Sequence, residues 1–208
     1  MAILLIRHGE TLGNASRTVQ LPGDPLSPRG LAQAERLARR LAKRLDRQGI
    51  GAILSSDLLR AAQTAEHLGR VTGLPVRHDP LLQERSFGDI RGTPYAQLGF
   101  DLFAPDYAPP GGETWAAFHA RVDRAWALLQ DRAAAAEGHL AVVTHGLVCR
   151  SLAGRHLILP DGHAVPERWE NTALTIVECP APWRVRLLNC IAHLDDLAAR
   201  PSPASGAV

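Results

Sequence analysis

The sequence predicts an α/β fold, a three-layer α/β/α sandwich with a mostly parallel central sheet. The first observation is a set of short apolar runs at 2–6, 52–54 and 139–144, which have the length and composition of buried strands. The second is the helical periodicity of segments between and around them, clearest at 28–48 and 114–136. Strands that alternate with helices are typical of a parallel sheet covered on both faces.

The helix predicted over 28–48 has the most complete set of signals. Ser27 is placed to act as its N-cap, Pro28 occupies its first turn and Gly49 follows its end. Its apolar positions recur at helical spacing: Leu31, Ala34, Leu37, Ala38, Leu41 and Leu45. Arginine and lysine residues lie between them, so the pattern predicts a helix with one buried face.

The next two elements continue the alternation. The strand at 52–54 is followed by two serines, Ser55 and Ser56, which we expect to cap a helix from 57 to about 70. A third, short strand is predicted at 75–79.

The second half of the chain contains an irregular stretch and then regular elements. Residues 80–112 are rich in glycine and proline, which indicates loops and a short helix over one end of the sheet. Helices are predicted over 114–136 and 147–159, on either side of the buried strand at 139–144. Two final strands, at 173–179 and 183–190, are joined by a turn that contains proline.

Length and composition indicate one globular domain. The 208 residues are 46% apolar and 21% charged, with a formal net charge of +2. We expect a single domain over 1–200, with the tail 201–208, PSPASGAV, disordered. The near-neutral charge argues against a nucleic-acid-binding surface, so any recognition of anions must be local.

The cysteines and the N-terminus indicate the cytoplasm. Three cysteines, Cys149, Cys179 and Cys190, do not form a disulfide framework in a chain of this length, and we expect all three to be buried thiols. The apolar run at 2–6 is too short for a signal peptide, and no segment has the length of a membrane span. The oligomeric state is left open, because the aromatic residues of the predicted long helix fit a core as well as an interface.

Polar residues follow three of the predicted strands. Arg7 and His8 follow the first strand, Ser55 the second, and His145 with Gly146 the strand at 139–144. In α/β sheets, ligands bind outside the carboxyl ends of the strands. Two histidines at equivalent positions therefore mark this edge as the candidate site.

Each histidine has a structural and a functional interpretation. A strand-end histidine is most often satisfied in its turn, but a neutral His8 would also be a good nucleophile toward phosphorus. The neighbouring Arg7 would help to keep it unprotonated. His145 lies at a helix N-terminus, where backbone N–H groups favour anions, and Gly146 would let the backbone approach a ligand closely.

Arg60 and Glu84 also have two interpretations. Arg60 is either an exposed helical arginine or a residue that faces an anion, because it lies near a helix start, where the helix dipole disfavours it. Glu84 is either an exposed loop carboxylate or the general acid that phosphomonoester cleavage requires, since an alkoxide leaves poorly without a proton.

Four motifs taken together resemble the histidine phosphatase (phosphoglycerate-mutase-like) superfamily: RHGET, SSDLLRAAQTA, the LxE-x3-G-x3-G loop and the THG turn. The resemblance implies that His8 is the nucleophile and Glu84 the proton donor. It implies further that Arg7, Arg60 and His145 surround the phosphate, together with the side-chain amide of Asn14 and the backbone at Gly146. It implies chemistry without a metal ion or a cofactor.

Three positions depart from the family pattern. Gly13 replaces the aromatic residue that commonly precedes the asparagine, and Leu21 replaces the glycine that commonly follows Gln20. We therefore do not carry over a phosphate contact to Gln20. The family pattern of an aromatic residue, an acid and a glycine is replaced by Ile90-Arg91-Gly92. Arg91 is therefore either a surface residue or a contact for a more anionic substrate.

Three classes of function are compatible with these residues: a phosphoryl-transfer enzyme, a binding protein and a metalloenzyme. The resemblance favours a phosphomonoesterase over a mutase, because mutases of the family carry a longer insertion than the stretch from Glu84 to Thr114. An inactive relative that only binds phosphorylated ligands is a second class. A metalloenzyme is a third, but the nine histidines show neither H-x-H nor H-E-x-x-H spacing. We expect a small phosphorylated metabolite as the partner, of a kind that the sequence does not specify.

Overall fold

The computed structural model describes residues 1–44 and 49–195, which form one mixed sheet flanked by helices. The sheet has six strands in the order β3-β2-β4-β1-β5-β6. The strands are β1 (Ala2–Arg7), β2 (Ile50–Ser55), β3 (Val76–His78), β4 (His139–Thr144), β5 (Leu174–Glu178) and β6 (Val185–Cys190). β1 to β4 are parallel to one another, whereas β5 and β6 are antiparallel to their neighbours, which confirms the mostly parallel sheet.

Helices cover both faces of the sheet, as predicted. The helices are α1 (Leu12–Ser16), α2 (Pro28–Arg44), α3 (Leu59–Thr72), α4 (Trp115–Ala135) and α5 (Gly146–His156). Leu37 of α2 and Leu68 of α3 pack with the apolar residues of one face. Phe118 of α4 and Leu152 of α5 pack on the other. Burial of these side chains in two separate clusters is the main force that holds the three layers together.

The ends of the helices show where local prediction worked. The Ser27 hydroxyl accepts a 3.0 Å hydrogen bond from the backbone of Gly30, as expected of an N-cap. The helix was predicted to 48; α2 is described to Arg44, and 45–48 lie outside the described residues. The Thr114 hydroxyl caps α4 through the backbone of Ala117, 3.1 Å away. The predicted bounds of the helix at 147–159 were shifted by one residue at its start and three at its end.

The predicted start of α3 was wrong. The helix begins at Leu59 rather than at 57, and its N-cap residue Leu58 makes no side-chain capping bond. The expected capping serine has another partner, because the Ser56 hydroxyl lies 2.8 Å from Nε2 of His145. The chain thus turns once more before the helix starts, and Arg60 becomes its second residue.

The irregular stretch contains three 3₁₀ turns rather than one short helix: Pro80–Leu82, Gly88–Ile90 and Tyr95–Gln97. A small cluster of Val19, Phe87 and Leu102 joins it to the loop that follows α1. This layer lies over the carboxyl ends of the parallel strands and forms one wall of the site.

Three further predictions can be compared with the described residues. Cys149 is buried, but Cys179 and Cys190 are only partly buried, so the expectation for those two was wrong. Within residues 1–44 and 49–195, no helix combines the length and apolar composition needed to cross a bilayer. The single domain over 1–200 stays a prediction, and the tail 201–208 lies outside the described residues.

Candidate active site

The two histidines that follow strands lie side by side. β1 and β4 are parallel neighbours with Arg7 opposite Thr144, so the next residues of both strands leave the sheet at the same edge. The backbone N–H of His8 continues this pairing and donates to the carbonyl of Thr144 at 2.9 Å. The centroids of the His8 and His145 rings are 5.1 Å apart. The register of the sheet therefore brings together residues that are far apart in the sequence.

The protonation state of His8 follows from its surroundings. Its Nδ1 lies 2.6 Å from the carbonyl oxygen of Gly9, and because a carbonyl can only accept, Nδ1 carries the proton. Burial, with the charges of Arg60 and Arg7, lowers the pKa of His8 well below its ordinary value. At neutral pH the imidazole is therefore uncharged, with the lone pair on Nε2.

His145 is completely buried beside His8. Its Nε2 pairs with the hydroxyl of Ser56, whereas its Nδ1 is buried and has no hydrogen-bond partner in the part of the chain that the structure describes. Burial and the charge of Arg60 lower the pKa of His145 well below its ordinary value. It does not line the cavity, so its predicted contact with phosphate stays a prediction.

Two guanidinium groups line the same cavity. Arg7 donates through Nη1 to the carbonyl of Trp169, and Arg60 donates through Nη1 to the carbonyl of Leu21 at 3.0 Å. The Nε atoms of both arginines are buried, and neither has a hydrogen-bond partner among residues 1–44 and 49–195. Burial lowers the pKa of both, that of Arg60 to about 10, and leaves them cationic at neutral pH. The exposed helical arginine considered for position 60 is excluded, since this side chain is buried.

Glu84 lies between these cations and the start of α5. Its Oε1 accepts a 3.0 Å bond from the backbone N–H of Arg85, and its Oε2 a 3.1 Å bond from that of Leu147. These bonds and the nearby arginines favour the charged carboxylate, but burial has the larger effect and raises the pKa of Glu84. A carboxyl group that keeps its proton to higher pH is suited to act as an acid.

The amide of Asn14 is oriented by two protein donors. Its Oδ1 accepts 3.2 Å bonds from the backbone N–H of Thr11 and from Nδ2 of Asn171. Its own NH2 group is thus left for a ligand, and Asn14 lines the cavity. The predicted pocket amide is therefore well placed to donate.

Sequence reasoning missed the segment that precedes β5. The Nδ2 of Asn171 donates to the carbonyl of His8 at 3.0 Å. The N–H of Thr172, whose φ is 56°, lies 3.1 Å from the carbonyl of Arg7 and 3.2 Å from that of His8. β5 is antiparallel to β1, so its first residue lies where β1 ends. The signal was a polar pair directly before an apolar strand.

Two glycines allow the loop after β1 to approach helix α2. A Cβ on Gly9 would lie 2.7 Å from the carbonyl oxygen of Gly30, and one on Gly30 would lie 2.0 Å from that of Glu10. Any side chain at either position would force the backbone apart. Gly146 differs, since a Cβ there would be 3.6 Å from Nε of Arg7, an ordinary contact. The packing of the protein does not require glycine at 146, and the predicted approach of a ligand to this backbone stays a prediction.

The cavity between these groups has a volume of about 370 Å³. His8, Asn14, Arg60 and Glu84 line its floor, together with Arg7 and Gly146. Gln20 and Arg91 also line the cavity. Arg91 is therefore more than a surface residue, and a contact with a more anionic substrate stays a prediction. The site combines a buried neutral imidazole, two buried cations and a carboxyl group of raised pKa.

The family is decided by the whole-chain comparison. A model of the histidine phosphatase superfamily (branch 1) matches residues 3–191. The chain belongs to this superfamily. Among curated proteins, the chain is 32% identical to phosphoglycerate mutase-like protein 4 of Arabidopsis thaliana, over 93% of this chain and 87% of that protein. Two further curated relatives match over 124 and 99 residues, and the chain spans 44% of the length of each.

Solved structures agree with this assignment. A mycobacterial glucosyl-3-phosphoglycerate phosphatase in complex with VO3 superimposes with a TM-score of 0.74 at 28% identity, covering 89% of this chain and 97% of that one. The α-ribazole phosphatase from Shigella flexneri superimposes with a TM-score of 0.75 at 27% identity, covering 92% and 98%. The chain thus shares its fold over about nine tenths of its length with two proteins named as phosphatases.

Proposed function

We propose that this histidine phosphatase is a phosphomonoesterase that hydrolyses a small phosphorylated metabolite through a phosphohistidine intermediate. The observation that carries the proposal is the orientation of His8. Its Nδ1–H is held on the Gly9 carbonyl, and Nε2, which makes no hydrogen bond within the described residues, belongs to a ring that lines the cavity. A neutral imidazole in this orientation beside two cations is suited to attack phosphorus.

The first step transfers the phosphoryl group to the protein. Nε2 of His8 forms a bond to phosphorus while the bond from phosphorus to the ester oxygen breaks. Arg7 and Arg60 stabilise the charge on the non-bridging oxygens by charge-assisted hydrogen bonds. The leaving alkoxide takes the proton of Glu84, so the product departs as an alcohol.

The second step returns the protein to its starting state. Glu84, now a carboxylate, accepts a proton from water as the water oxygen attacks phosphorus. The bond between phosphorus and Nε2 breaks, inorganic phosphate forms and Glu84 is protonated again. The cycle consumes one water, and its proton transfers need no metal ion or cofactor.

Two observations support hydrolysis over mutase activity. The wall segment between Glu84 and Thr114 is short, and two solved structures that match over nearly their whole length at 27–28% identity carry the name phosphatase. A phosphoglycerate mutase of Bacillus anthracis also matches over 95% of its length, but at 22% identity, which supports the shared fold alone. We also propose a cytoplasmic setting, which is supported by three cysteines that are all free thiols.

The decisive experiment measures hydrolysis of 4-nitrophenyl phosphate in the presence of EDTA by wild type and by His8→Ala. We expect activity in the wild type, a loss of at least about 10³-fold in the variant, and an acid-labile phosphoprotein after rapid quenching. His78→Ala on β3 is the matched control, because this exposed histidine does not line the cavity. Full activity of His8→Ala would refute the nucleophile, and activity abolished by EDTA would refute the metal-free mechanism.

A partition experiment separates phosphatase from mutase. The phosphoenzyme is formed in water enriched in ¹⁸O, with an excess of a hydroxy acid as competing acceptor. Label in nearly all of the phosphate is expected of a phosphatase. Transfer of most phosphoryl groups to the acceptor would identify a mutase instead.

A further inference from the structure

Two arginines on one wall of the cavity have no acidic partner. Arg17 and Arg91 both line the cavity that contains His8. Within residues 1–44 and 49–195, neither forms a salt bridge, and the side-chain bond of Arg91 goes to the neutral hydroxyl of Ser86 at 3.1 Å. By contrast, Arg168 at the same cavity is 3.5 Å from the carboxylate of Glu170.

Backbone pairing fixes these two arginines on the same wall. The N–H of Tyr95 donates to the carbonyl of Arg17 at 2.8 Å, and that of Val19 donates to the carbonyl of Thr93 at 3.0 Å. The N–H of Gly92 donates to the carbonyl of Val19 at 2.6 Å. The segment after α1 and the segment that follows Arg91 therefore form a short ladder, with one arginine at each end.

Tyr95 lies opposite Arg17 on this wall and adds a neutral donor. The guanidinium carbon of Arg17 is 6.0 Å from the centre of its ring. Burial raises the pKa of Tyr95, so its hydroxyl stays protonated at neutral pH, and this hydroxyl makes no hydrogen bond within the described residues. Phe103, 45% exposed, packs edge-on against Tyr95 with ring centres 6.4 Å apart and extends the wall outward.

Arg91 also interacts electrostatically with Arg60, which lines the same cavity. Its charge contributes to the lowered pKa of Arg60, so the two cations lie within electrostatic range. Two uncompensated positive charges near two buried ones are unfavourable until anions bind. One phosphate between Arg7 and Arg60 leaves Arg17 and Arg91 without a counter-charge.

We propose that Arg17, Arg91 and Tyr95 form a second anion subsite, which binds a carboxylate or second phosphate on the alcohol part of the substrate. The inference rests on the proposed phosphomonoesterase activity, and it concerns substrate choice rather than the reaction. The two guanidiniums supply charge-assisted hydrogen bonds and the phenol one further donor. Phe103 offers an apolar face to the connecting carbon chain.

The test uses matched phosphomonoesters that differ only in their far end. One series consists of α,ω-alkanediol monophosphates of three to six carbons, which end in a neutral hydroxyl. The second consists of the corresponding ω-hydroxyalkanoate phosphates, which end in a carboxylate, and the third of the alkanediol bisphosphates. We expect wild-type kcat/KM at the best chain length to be at least about tenfold higher for an anionic end, and the better of the two series identifies the group.

Arg91→Gln and Arg17→Gln should each reduce this preference several-fold. In the double variant, the ratio of kcat/KM for the anionic substrate to kcat/KM for the neutral substrate should be close to one. Arg77→Gln on β3 is the control, since this exposed arginine does not line the cavity and should keep the wild-type ratio. A wild type that hydrolyses all three series equally would refute the subsite while leaving the phosphatase activity established. Equal losses for neutral and anionic substrates in Arg91→Gln would refute it as well. Absence of hydrolysis in every series would instead refute the proposed function.

Discussion

The side-chain amide of Asn171 donates to the backbone carbonyl of His8 at 3.0 Å and to Oδ1 of Asn14 at 3.2 Å. One buried side chain thus fixes the backbone of the expected nucleophile and the orientation of an expected phosphate donor. Asn171→Asp should lower kcat by roughly 10- to 100-fold, because a carboxylate cannot donate to either acceptor and adds a negative charge near the phosphate. Steady-state kinetics with an aryl phosphate test this.

A stability control separates positioning from folding. Gln130→Ala on α4, distant from the cavity, should leave kcat unchanged. Thermal unfolding of Asn171→Asp should show a folded protein at the assay temperature. Unchanged kcat in that folded variant would show that the two bonds have no role in catalysis.

Arg60→Ala should lower kcat/KM by about 10²-fold or more, the scale expected for loss of one preorganised transition-state donor. The residue is buried and donates through Nη1 to the carbonyl of Leu21, whereas its Nε has no hydrogen-bond partner among the described residues and is free to meet a ligand. Arg124→Ala, an exposed arginine on α4, serves as the control. A loss below about threefold would show that Arg60 does not contact the phosphate.

The pH profile of kcat/KM should be bell-shaped. The productive form has His8 neutral and Glu84 protonated, so the rate rises as pH passes upward through the pKa of His8 and falls through that of Glu84. Because the pKa of His8 is lowered well below 6.5, the acid limb should lie well below that pH. Because the pKa of Glu84 is raised, the alkaline limb should lie above 4.5. An acid limb at or above pH 6.5 would contradict the assignment of His8.

Glu84→Gln should alter both the profile and the dependence on leaving group. Glutamine has no proton to lose, so the alkaline limb due to Glu84 should disappear. The rate on an alkyl phosphate should fall by about 10²-fold or more, since the alkoxide needs the proton, whereas 2,4-dinitrophenyl phosphate should change by less than about threefold. Because wild type and Glu84→Gln are compared on the same substrate, the ionisation of that substrate affects both pH profiles equally. Equal losses on both substrates would exclude Glu84 as the acid.

The stability of the protein should decrease as pH falls from about 6.5 toward 4, in part because of His193. Its Nε2–H donates to the hydroxyl of Thr172, which itself donates to the carbonyl of Asn171. Its Nδ1 is buried and has no hydrogen-bond partner among the residues that the structure describes. Burial and the charges of Arg40 and Arg36 lower the pKa of His193 from 6.5 to about 4. In this range the unfolded chain binds a proton that the folded protein excludes, so acid favours unfolding.

Urea unfolding at several pH values between 4 and 7 measures this dependence. His193→Gln should make the decline shallower, by at most about 1.4 kcal/mol per pH unit, the limit for one proton. His78→Gln, which changes an exposed histidine, should keep the wild-type slope. An unchanged slope in His193→Gln would contradict the lowered pKa.

Much of the fold could be predicted because its signals are local. The apolar runs of β1 and β4 and the cap Ser27 depend on neighbours in sequence. The start of α3 could not be predicted in this way. Ser56 is an ordinary capping residue by composition, but in the fold its hydroxyl faces His145 from another strand.

The same distinction applies to the site. His8 and His145 could be placed together because both directly follow parallel strands, and the family motifs identified Arg60 and Glu84. Asn171 was missed because its function depends on the antiparallel direction of β5, which periodicity does not reveal. The pKa of Glu84 was also beyond the sequence, since it results from a balance between burial and two backbone donors.

Because β1 pairs with β4, the two histidines and the outer wall of the cavity are held by different parts of the fold. The imidazoles directly follow paired strands of the sheet, whereas the outer wall lies outside the six strands and is joined to the loop after α1 by the bridge between Thr18 and Pro94. A library that randomises Arg91, Tyr95 and Phe103 would therefore leave His8 and His145 in register. On the proposed function, such a library is expected to change which alcohol is accepted without moving the two imidazoles.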